Sequence, residues 1–514
     1  VNTNKEQAFS MYGYGLRGVS DDVYYYNPQK VPPVVNHGTP EFPEYAATRY
    51  YSSDFTEKRM VSYFGRLGYN YKQRYLLEFT FRRDGSSTFG EGNRWANFPS
   101  VAVGWSFSEE PFIKRLTGSW LNWGKIRGSY GKSGQTFTSA YLAHGLMNIM
   151  DRNFFGKTGV TTDKPVSPYL TWEKTNQYDL GLDMDMFNYR LNMKLDYYYK
   201  YTSSLIYDIP IPGSLYTFGA QVENAMEISN EGLELELQAD ILRESAVSWR
   251  MKFNMARNWN RFEKSYSGKD VVDGDGTLLV AGRPLNGLYV WAHRGYYNSD
   301  AEVPRLYKID GQEIYFNGVA TDGISGAVGN YRLLDLDGDG NPDSYYAGSP
   351  LPLAHGGWVN ELMWKNFDLN VLVNFTIGRK MINNRMGLGF GTQSENGHLT
   401  KLFDYRKLRP WDGVNKNPNA PAWGNSLSMN TDSAIEKVHH LALKQITLGY
   451  NLPDRISKKA GLSGVRFFLT AENLFYLSNY SGGNPEVVNI YTGRDNGDTY
   501  PLPRKYTLGL TLNF

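Results

Sequence analysis

The sequence predicts an all-β protein, a transmembrane antiparallel β-barrel with about 14 strands in this chain. Aromatic residues make up 15% of the chain, glycine is abundant at 53 residues, and apolar and polar residues alternate along many short segments. Aromatic residues favour strands, and glycine favours turns. A period of two residues gives each strand one apolar and one polar face.

The alternation places leucine, methionine or an aromatic residue at every second position of a segment. No run of 18 apolar residues occurs, so no transmembrane helix is predicted. A transmembrane strand needs only about 9–11 residues with every second one apolar, so the pattern is compatible with a membrane. The clearest segments are 61–71, 75–82, 101–107, 179–186, 191–199, 233–241, 249–255, 367–377, 446–450, 465–469 and 504–514.

The connections between these segments differ in length. Short turns are predicted at 70–74 and 365–366, whereas the long polar stretches are predicted to be extracellular loops. Short turns at one end and long loops at the other are typical of outer-membrane barrels, whereas a soluble β-sandwich or propeller keeps its loops more even. Residues 1–57 are predicted to be an extracellular entry segment and 58–514 the barrel portion. The predicted long loops are 133–173, 203–228, 260–350 and 379–434.

Charged residues occupy the polar face of several predicted strands. A charge on the lipid face would cost a few kcal/mol, so the polar face is predicted to line the lumen. These residues are Asp179, Asp183, Asp185, Lys194, Glu234, Glu236, Arg250 and Lys252.

Eight stretches, in this order, resemble the SusC/RagA-type TonB-dependent outer-membrane transporters of Bacteroidetes. The resemblance covers most of the chain from about residue 55 onward, with one departure at Ala442, where the family usually has arginine. The stretches are RRDGSSTFGEGNRWANFPSVAVGWSFSEEPF (82–112), KIRGSYGKSGQ (125–135), WEKTNQYDLGLDMDMFNYRLNMKLDYYYKYTSSLI (172–206), ENAMEISNEGLELEL (223–237), ITLGYNLP (446–453), AENLF (471–475), NPEV (484–487) and the final Phe514.

The resemblance implies a 22-stranded outer-membrane barrel that is closed by a plug domain. It further implies active import of oligosaccharides or peptides with a SusD-like surface lipoprotein as a lid, driven by TonB. The plug is not recognisable in this chain. Because unpaired strand edges are untenable in hydrocarbon, we expect an N-terminal barrel and plug portion to be present as a separate chain that contacts TonB. Lipid or lipopolysaccharide would cover the outer face. The alternatives are a passive porin and a soluble carbohydrate-binding β-protein.

The stretch DLDGDGNPD resembles the start of a calcium loop. Its acidic residues and one asparagine fall at loop positions 1, 3, 5, 7 and 9, and a glycine falls at position 6. Position 12 is Tyr346 instead of the bidentate glutamate, so chelation by this loop would be incomplete. The alternative is an acidic turn without an ion. The possible Ca²⁺ ligands are Asp335, Asp337, Asp339, Asn341 and Asp343.

The sequence gives no indication of an enzyme. Seven histidines are scattered, and neither H-E-x-x-H nor G-x-S-x-G occurs, so no catalytic residue and no required cofactor are predicted. The net charge of +2 predicts no nucleic-acid partner. Aromatic side chains in the long loops are candidates for contact with the substrate or the lid, with ordinary loop packing as the alternative. They are Trp291, Tyr296, Tyr297, Trp411 and Trp423.

Overall fold

The structure is a computed structural model, and most of the chain is described in it. The described residues are 2–13, 34–36, 45–47, 49–136, 140–141, 143–144, 147–154, 157–162, 165–212, 219–272, 278–302, 305–307, 313–315, 328–337, 343–384, 409–415, 417–422, 431–497 and 499–514. Among them, no helix is both long enough and apolar enough to cross a membrane.

One large antiparallel sheet dominates the molecule, and each of its fourteen wall strands pairs with its neighbour along the chain. This up-and-down order is the connectivity that tight turns and hairpin loops produce. The wall strands are β1 (Asn2–Gly13), β2 (Arg49–Tyr71), β3 (Tyr75–Ser86), β4 (Trp95–Trp105), β5 (Leu121–Gln135), β6 (Glu173–Met186), β7 (Leu191–Pro210), β8 (Ala220–Leu242), β9 (Val247–Lys264), β10 (Ala354–Trp364), β11 (Phe367–Asn383), β12 (Ile435–Asn451), β13 (Gly464–Ser478) and β14 (Lys505–Asn513).

Shorter elements lie in the connections. Among the described residues, these include six two-stranded antiparallel sheets and one short strand, Arg494–Asp495, which pairs in parallel with β11. The two-stranded sheets pair Val34–Asn36 with Tyr45–Ala47, Met147–Phe154 with Lys157–Thr162, Val271–Val272 with Leu278–Leu279, Leu288–Trp291 with Ser344–Gly348, His293–Tyr296 with Tyr331–Leu333, and Arg305–Tyr307 with Glu313–Tyr315. The helices are α1 (Pro111–Thr117), α2 (Asp454–Ser457) and the 3₁₀ turns Phe107–Glu109, Asp300–Glu302, Asp432–Ala434, Lys458–Ala460 and Pro485–Val487.

The register of the wall strands separates an apolar face from a polar face. Leu182, Leu195, Leu235 and Met255 lie directly opposite one another across β6 to β9. The next row is polar. Asp183 on β6 lies opposite Lys194 on β7, which lies opposite Glu236 on β8. Because neighbouring residues of a strand point to opposite faces, the two rows line different sides of the sheet. Apolar-face residues such as Leu180, Leu233 and Leu508 are exposed, as expected of a surface that contacts lipid.

The two ends of the sheet have different connections. Residues 187–190 and 365–366 are tight turns at one end, and the longer connections 106–120 and 452–463 at the same end contain α1 and α2. The described residues of the connections 136–172, 265–353, 384–434 and 479–504 lie at the other end. The predicted asymmetry between short turns and long loops is therefore present.

Two predicted segment boundaries differ from the structure. Residues 2–13 of the predicted entry segment form β1, paired along its length with β2. The predicted loop 203–228 is mostly strand, because β7 continues to Pro210 and β8 begins at Ala220. Register shifts near Thr202 and Leu205 interrupt the two-residue alternation of side chains there. Backbone hydrogen bonds continue the strand, but the apolar pattern does not indicate it.

Candidate functional site

The polar face of the wall carries a ladder of ion pairs between strands. Arg127 on β5 contacts Asp183 on β6 at 3.0 Å, and it also contacts Asp196 on β7. Arg250 pairs with Asp240 at 2.6 Å. Each of these partly exposed pairs contributes at most about 1 kcal/mol of stability, so their main effect is to leave the face hydrophilic and neutralised.

Four of the other predicted polar-face charges are also partnered on this face. Lys194 lies 3.5 Å from Glu236, and Lys252 lies 2.7 Å from Glu361. Asp179 accepts a hydrogen bond from Ser129 at 3.1 Å. This is the chemistry of a water-filled or protein-filled lumen.

Above the wall, the connections after β9 and β11 pack into one unit, which we call the loop lobe (described parts of 278–353 and 409–434). The backbones of Trp291 and Thr431 form an isolated parallel β-bridge. The side chain of Asn298 accepts a 3.3 Å hydrogen bond from Trp411 Nε1. The backbone N–H of Ala422 donates to the carbonyl of Gly329 at 2.8 Å. Contacts between segments that are about 90 or more residues apart therefore assemble the lobe.

The structure places four of the predicted aromatic residues in this lobe. Tyr296 stacks on Tyr331 with ring centroids 5.4 Å apart, and burial raises the pKa of both phenols above the ordinary value. Tyr297 is buried, with 5% of its surface exposed, and its hydroxyl oxygen accepts a hydrogen bond from the Leu333 amide at 3.1 Å. Trp291 and Trp411 are partly exposed. Trp423 lies outside the described residues, and contact of these side chains with substrate or lid stays a prediction.

The acidic turn lies within the loop lobe, between the strands Tyr331–Leu333 and Ser344–Gly348. One carboxylate oxygen from each of Asp335, Asp337 and Asp343 lies within 4.8 Å of the other two. Asp343 accepts backbone hydrogen bonds from Leu336 at 2.6 Å and Asp337 at 3.2 Å. Carboxylates this close repel one another, and a hard divalent cation such as Ca²⁺ would relieve the repulsion.

The turn also forms hydrogen bonds with Ala292, which lies between the strands that contain Trp291 and Tyr296. The amide of Ala292 donates to the Asp343 carbonyl at 3.3 Å, and the amide of Leu334 donates to the Ala292 carbonyl at 2.9 Å. An ion held by the turn would therefore stiffen this part of the lobe. Asp339 and Asn341, the other two predicted ligands, lie outside the described residues.

Sequence reasoning did not identify the polar cluster inside the lobe. The His293 ring contacts the Asp432 carboxylate, which also accepts a 3.2 Å hydrogen bond from the Tyr345 hydroxyl. His293 and Asp432 are 139 residues apart, and neither belongs to a motif with characteristic spacing. Only the folded arrangement of the loops shows this cluster.

The family model described as "TonB dependent receptor-like, beta-barrel" matches residues 2–346. The chain belongs to this family. As a TonB-dependent receptor barrel it is an outer-membrane protein, and its fourteen-stranded sheet is a large part of a barrel wall. The polar face described above is therefore the lumenal face, and the apolar face contacts lipid.

Curated relatives of this barrel carry receptor names. TonB-dependent receptor P26 of Formosa agariphila is 32% identical over 90% of this chain and 47% of its own length. TonB-dependent receptor SusC of Bacteroides thetaiotaomicron is 30% identical over 92% of this chain and 45% of its own length. The chain thus spans about half the length of the curated relatives it matches.

A solved structure shares the fold of this barrel. The structure of the RagAB peptide transporter superposes with a TM-score of 0.73 at 24% identity, covering 90% of this chain and 49% of that chain. A structure of the RagAB peptide importer in its "open-open" state gives 0.70 at 22% identity, covering 91% and 48%. At these identities the similarity establishes the wall architecture.

Proposed function

We propose that this chain is the C-terminal wall of a TonB-dependent importer that takes up oligosaccharides or peptides, and that a SusD-like surface lipoprotein closes over its loop lobe. The observation that carries the proposal is the membership in the receptor family together with a lumenal face lined by paired charges. Such a face suits passage of a hydrated solute. The chain has no catalytic role in this proposal, and TonB acts on the portion that contains the plug.

The edges of the sheet support a second polypeptide or polypeptide segment in the wall. Among the described strands, β1 pairs only with β2, and β14 pairs only with β13. Each outer edge presents unpaired backbone N–H and C=O groups, which lipid cannot satisfy. We propose that an N-terminal barrel and plug portion hydrogen-bonds to both edges, while lipid or lipopolysaccharide covers the apolar face.

The experiment is purification of the protein from outer membranes in detergent, with every co-purifying chain identified by mass spectrometry. We expect a plug-containing portion and a SusD-like lipoprotein at equal stoichiometry. A particle without a plug would favour the alternative of a passive porin, and a protein that stays monodisperse without detergent would favour a soluble β-protein.

Transport is tested in whole cells with two fluorescent probe mixtures, maltooligosaccharides and a tryptic digest of casein. Accumulation of one mixture that disappears on deletion of TonB supports active import and identifies the solute class. Accumulation that is independent of TonB supports a passive pore. Accumulation of neither mixture, in cells where the protein is present at the surface, contradicts import of these two classes.

A further inference from the structure

The connection between β13 and β14 folds across the lumenal face of the wall. We call residues 479–497 the inner segment. Val438 on β12 lies opposite Arg379, on the same face as Ala442, which lies opposite Asn374. Val438 and Ala442 are 1% and 2% exposed, and Val438 packs in one cluster with Tyr480 and Val488 of the inner segment. The inner segment therefore covers this part of the lumenal face.

A buried arginine on β11 holds the middle of the inner segment. Arg379 is 5% exposed, and its guanidinium donates to the carbonyls of Pro485 at 3.2 Å, Val488 at 2.9 Å and Asn489 at 2.6 Å. These carbonyls lie at and just after the 3₁₀ turn Pro485–Val487, so one guanidinium contacts three backbone acceptors of the same part of the segment. The preceding Gly378 has a φ of +73°, and the register between β11 and β12 shifts here, so a bulge turns Arg379 onto the lumenal face.

The end of β11 holds the two ends of the inner segment. Asn383 donates to the Ser481 hydroxyl at 2.9 Å. At the other end, the amide of Ile382 donates to the Gly493 carbonyl at 2.8 Å, and the Asn384 side chain donates to Asn496 at 2.9 Å. The segment is thus anchored at three points to β11 and the residue that follows it.

The anchored segment presents an exposed tyrosine. Tyr491 is 72% exposed, while its carbonyl accepts a 2.8 Å hydrogen bond from Asn286 of the loop lobe. Its neighbour Ile490 is 45% exposed. A tyrosine ring on an anchored backbone offers a flat apolar surface at little cost in side-chain entropy. Sugar rings and the apolar side chains of peptides share the flat or compact C–H surfaces that pack on such a ring.

We propose that the inner segment is a fixed lining of the transport path, that Arg379 is its positioning residue, and that Tyr491 contacts the passing solute. This inference rests on the proposed import function, and it assigns opening of the path to elements other than the inner segment. Arg379 acts through the segment and does not itself touch the solute.

The first test needs no solute and uses the purified full-length protein with its co-purifying chains. Hydrogen–deuterium exchange should show protection of 479–497 equal to that of β11 and β12. Exchange of the inner segment at the rate of unprotected backbone amides would overturn a fixed lining. This measurement stands whether or not either probe mixture is transported.

The second test locks the segment in place. The Asn384→Cys, Asn496→Cys double variant joins two side chains already in contact, in a chain that has no cysteine of its own. With the disulfide formed, we expect uptake of the maltooligosaccharide and casein-peptide mixtures at the wild-type rate. Loss of uptake on oxidation that dithiothreitol restores would show that the segment moves, and would overturn the proposal. The single-cysteine variants control for the substitutions.

The third test concerns solute contact. Tyr491→Ala should raise the half-saturating probe concentration about three- to tenfold at an unchanged maximal rate, as expected for loss of one aromatic contact. Tyr500→Ala is the matched control, because Tyr500 is 85% exposed in the same connection but lies outside the inner segment. Unchanged half-saturation in Tyr491→Ala, or the same change in Tyr500→Ala, would contradict the contact.

A double variant distinguishes a positioning role of Arg379 from a purely structural one, because the effects of the two substitutions on half-saturation should not add. Arg379→Ala should raise half-saturation as Tyr491→Ala does, and the double variant should show no further rise, because both changes remove the same surface. Arg379→Lys should restore part of the effect, since a single ammonium can bind some of the three carbonyls. A variant with less protein at the surface and unchanged half-saturation would contradict a positioning role. Failure of the import function itself would appear as absent uptake in the wild type.

Discussion

The Tyr75 hydroxyl donates a 2.6 Å hydrogen bond to the Glu110 carboxylate, which joins the first turn of the wall to the residue that precedes α1. Trp105 Nε1 and Arg74 also contact this carboxylate, each at 3.4 Å. The hydrogen bond from Tyr75 is the largest cause of a lowered pKa for Glu110, while partial desolvation acts in the opposite direction. One ionised carboxylate therefore connects the turn before β3, the end of β4 and the start of α1.

Glu110→Gln is expected to destabilise the protein at neutral pH. Because the folded pKa lies below the ordinary value of 4.5, the contribution of Glu110 is present above that pH and is lost as the pH falls through the folded pKa. Thermal unfolding in detergent should give a lower midpoint for the variant at about pH 7, and the difference from wild type should shrink at about pH 3. Glu109→Gln, which loses only an exposed pair with Lys114, should show little effect at either pH. An equal difference at both pH values would contradict the assignment.

Leu235→Lys is expected to destabilise the wall by about 2–4 kcal/mol, because it places a charge in the lipid-facing row. The matched control is Ala256→Lys, on the lumenal face, where the new ammonium lies opposite Glu234. Unfolding in lipid vesicles with urea measures both changes. Equal costs for the two variants would contradict the assignment of the faces.

Calcium is expected to bind the acidic turn and to stabilise the loop lobe. Terbium luminescence and calorimetry on the purified full-length protein should show binding that Asp337→Asn weakens at least about tenfold, because the site loses one of its anionic ligands. Asp412→Asn is the control. This acidic residue of the same lobe accepts backbone hydrogen bonds from Val414 and Asn415, which lower its pKa. If the wild type binds neither terbium nor calcium, the prediction is wrong and the alternative of an acidic turn without an ion holds.

Substitution of two aromatic residues of the lobe should have different effects, one on stability and the other on binding or uptake. Tyr297→Ala is expected to cost about 3–5 kcal/mol of stability, because the ring is buried and its hydroxyl oxygen accepts the Leu333 amide. Trp411→Ala removes a partly exposed side chain and should instead weaken binding of the surface lipoprotein or raise the half-saturating probe concentration. Thermal unfolding, lipoprotein pull-down and probe uptake distinguish the two outcomes. A destabilised Trp411→Ala variant with unchanged binding and uptake would assign Trp411 to loop packing.

The alternation of residues was sufficient to predict the wall and its two faces. Leu182, Leu195 and Leu235 lie on one face because a strand repeats every two residues, whatever its neighbours are. The prediction did not extend to β1 or to the outer parts of β7 and β8. No continuous apolar period marks Asn2–Gly13, and register shifts break the period in β7 beyond Thr202. Backbone hydrogen bonds to a neighbouring strand form these parts.

The sequence by itself therefore determined the strand-rich wall, its lipid-facing rows and the position of its acidic turn, since each follows from residues close together in the chain. Only the tertiary structure decided how the loops assemble. Two contacts join segments more than 100 residues apart. His293 contacts Asp432, and Arg379 donates hydrogen bonds to carbonyls within residues 485–489. Their partners depend on how long connections pack against one another, and no local period or spacing encodes that packing.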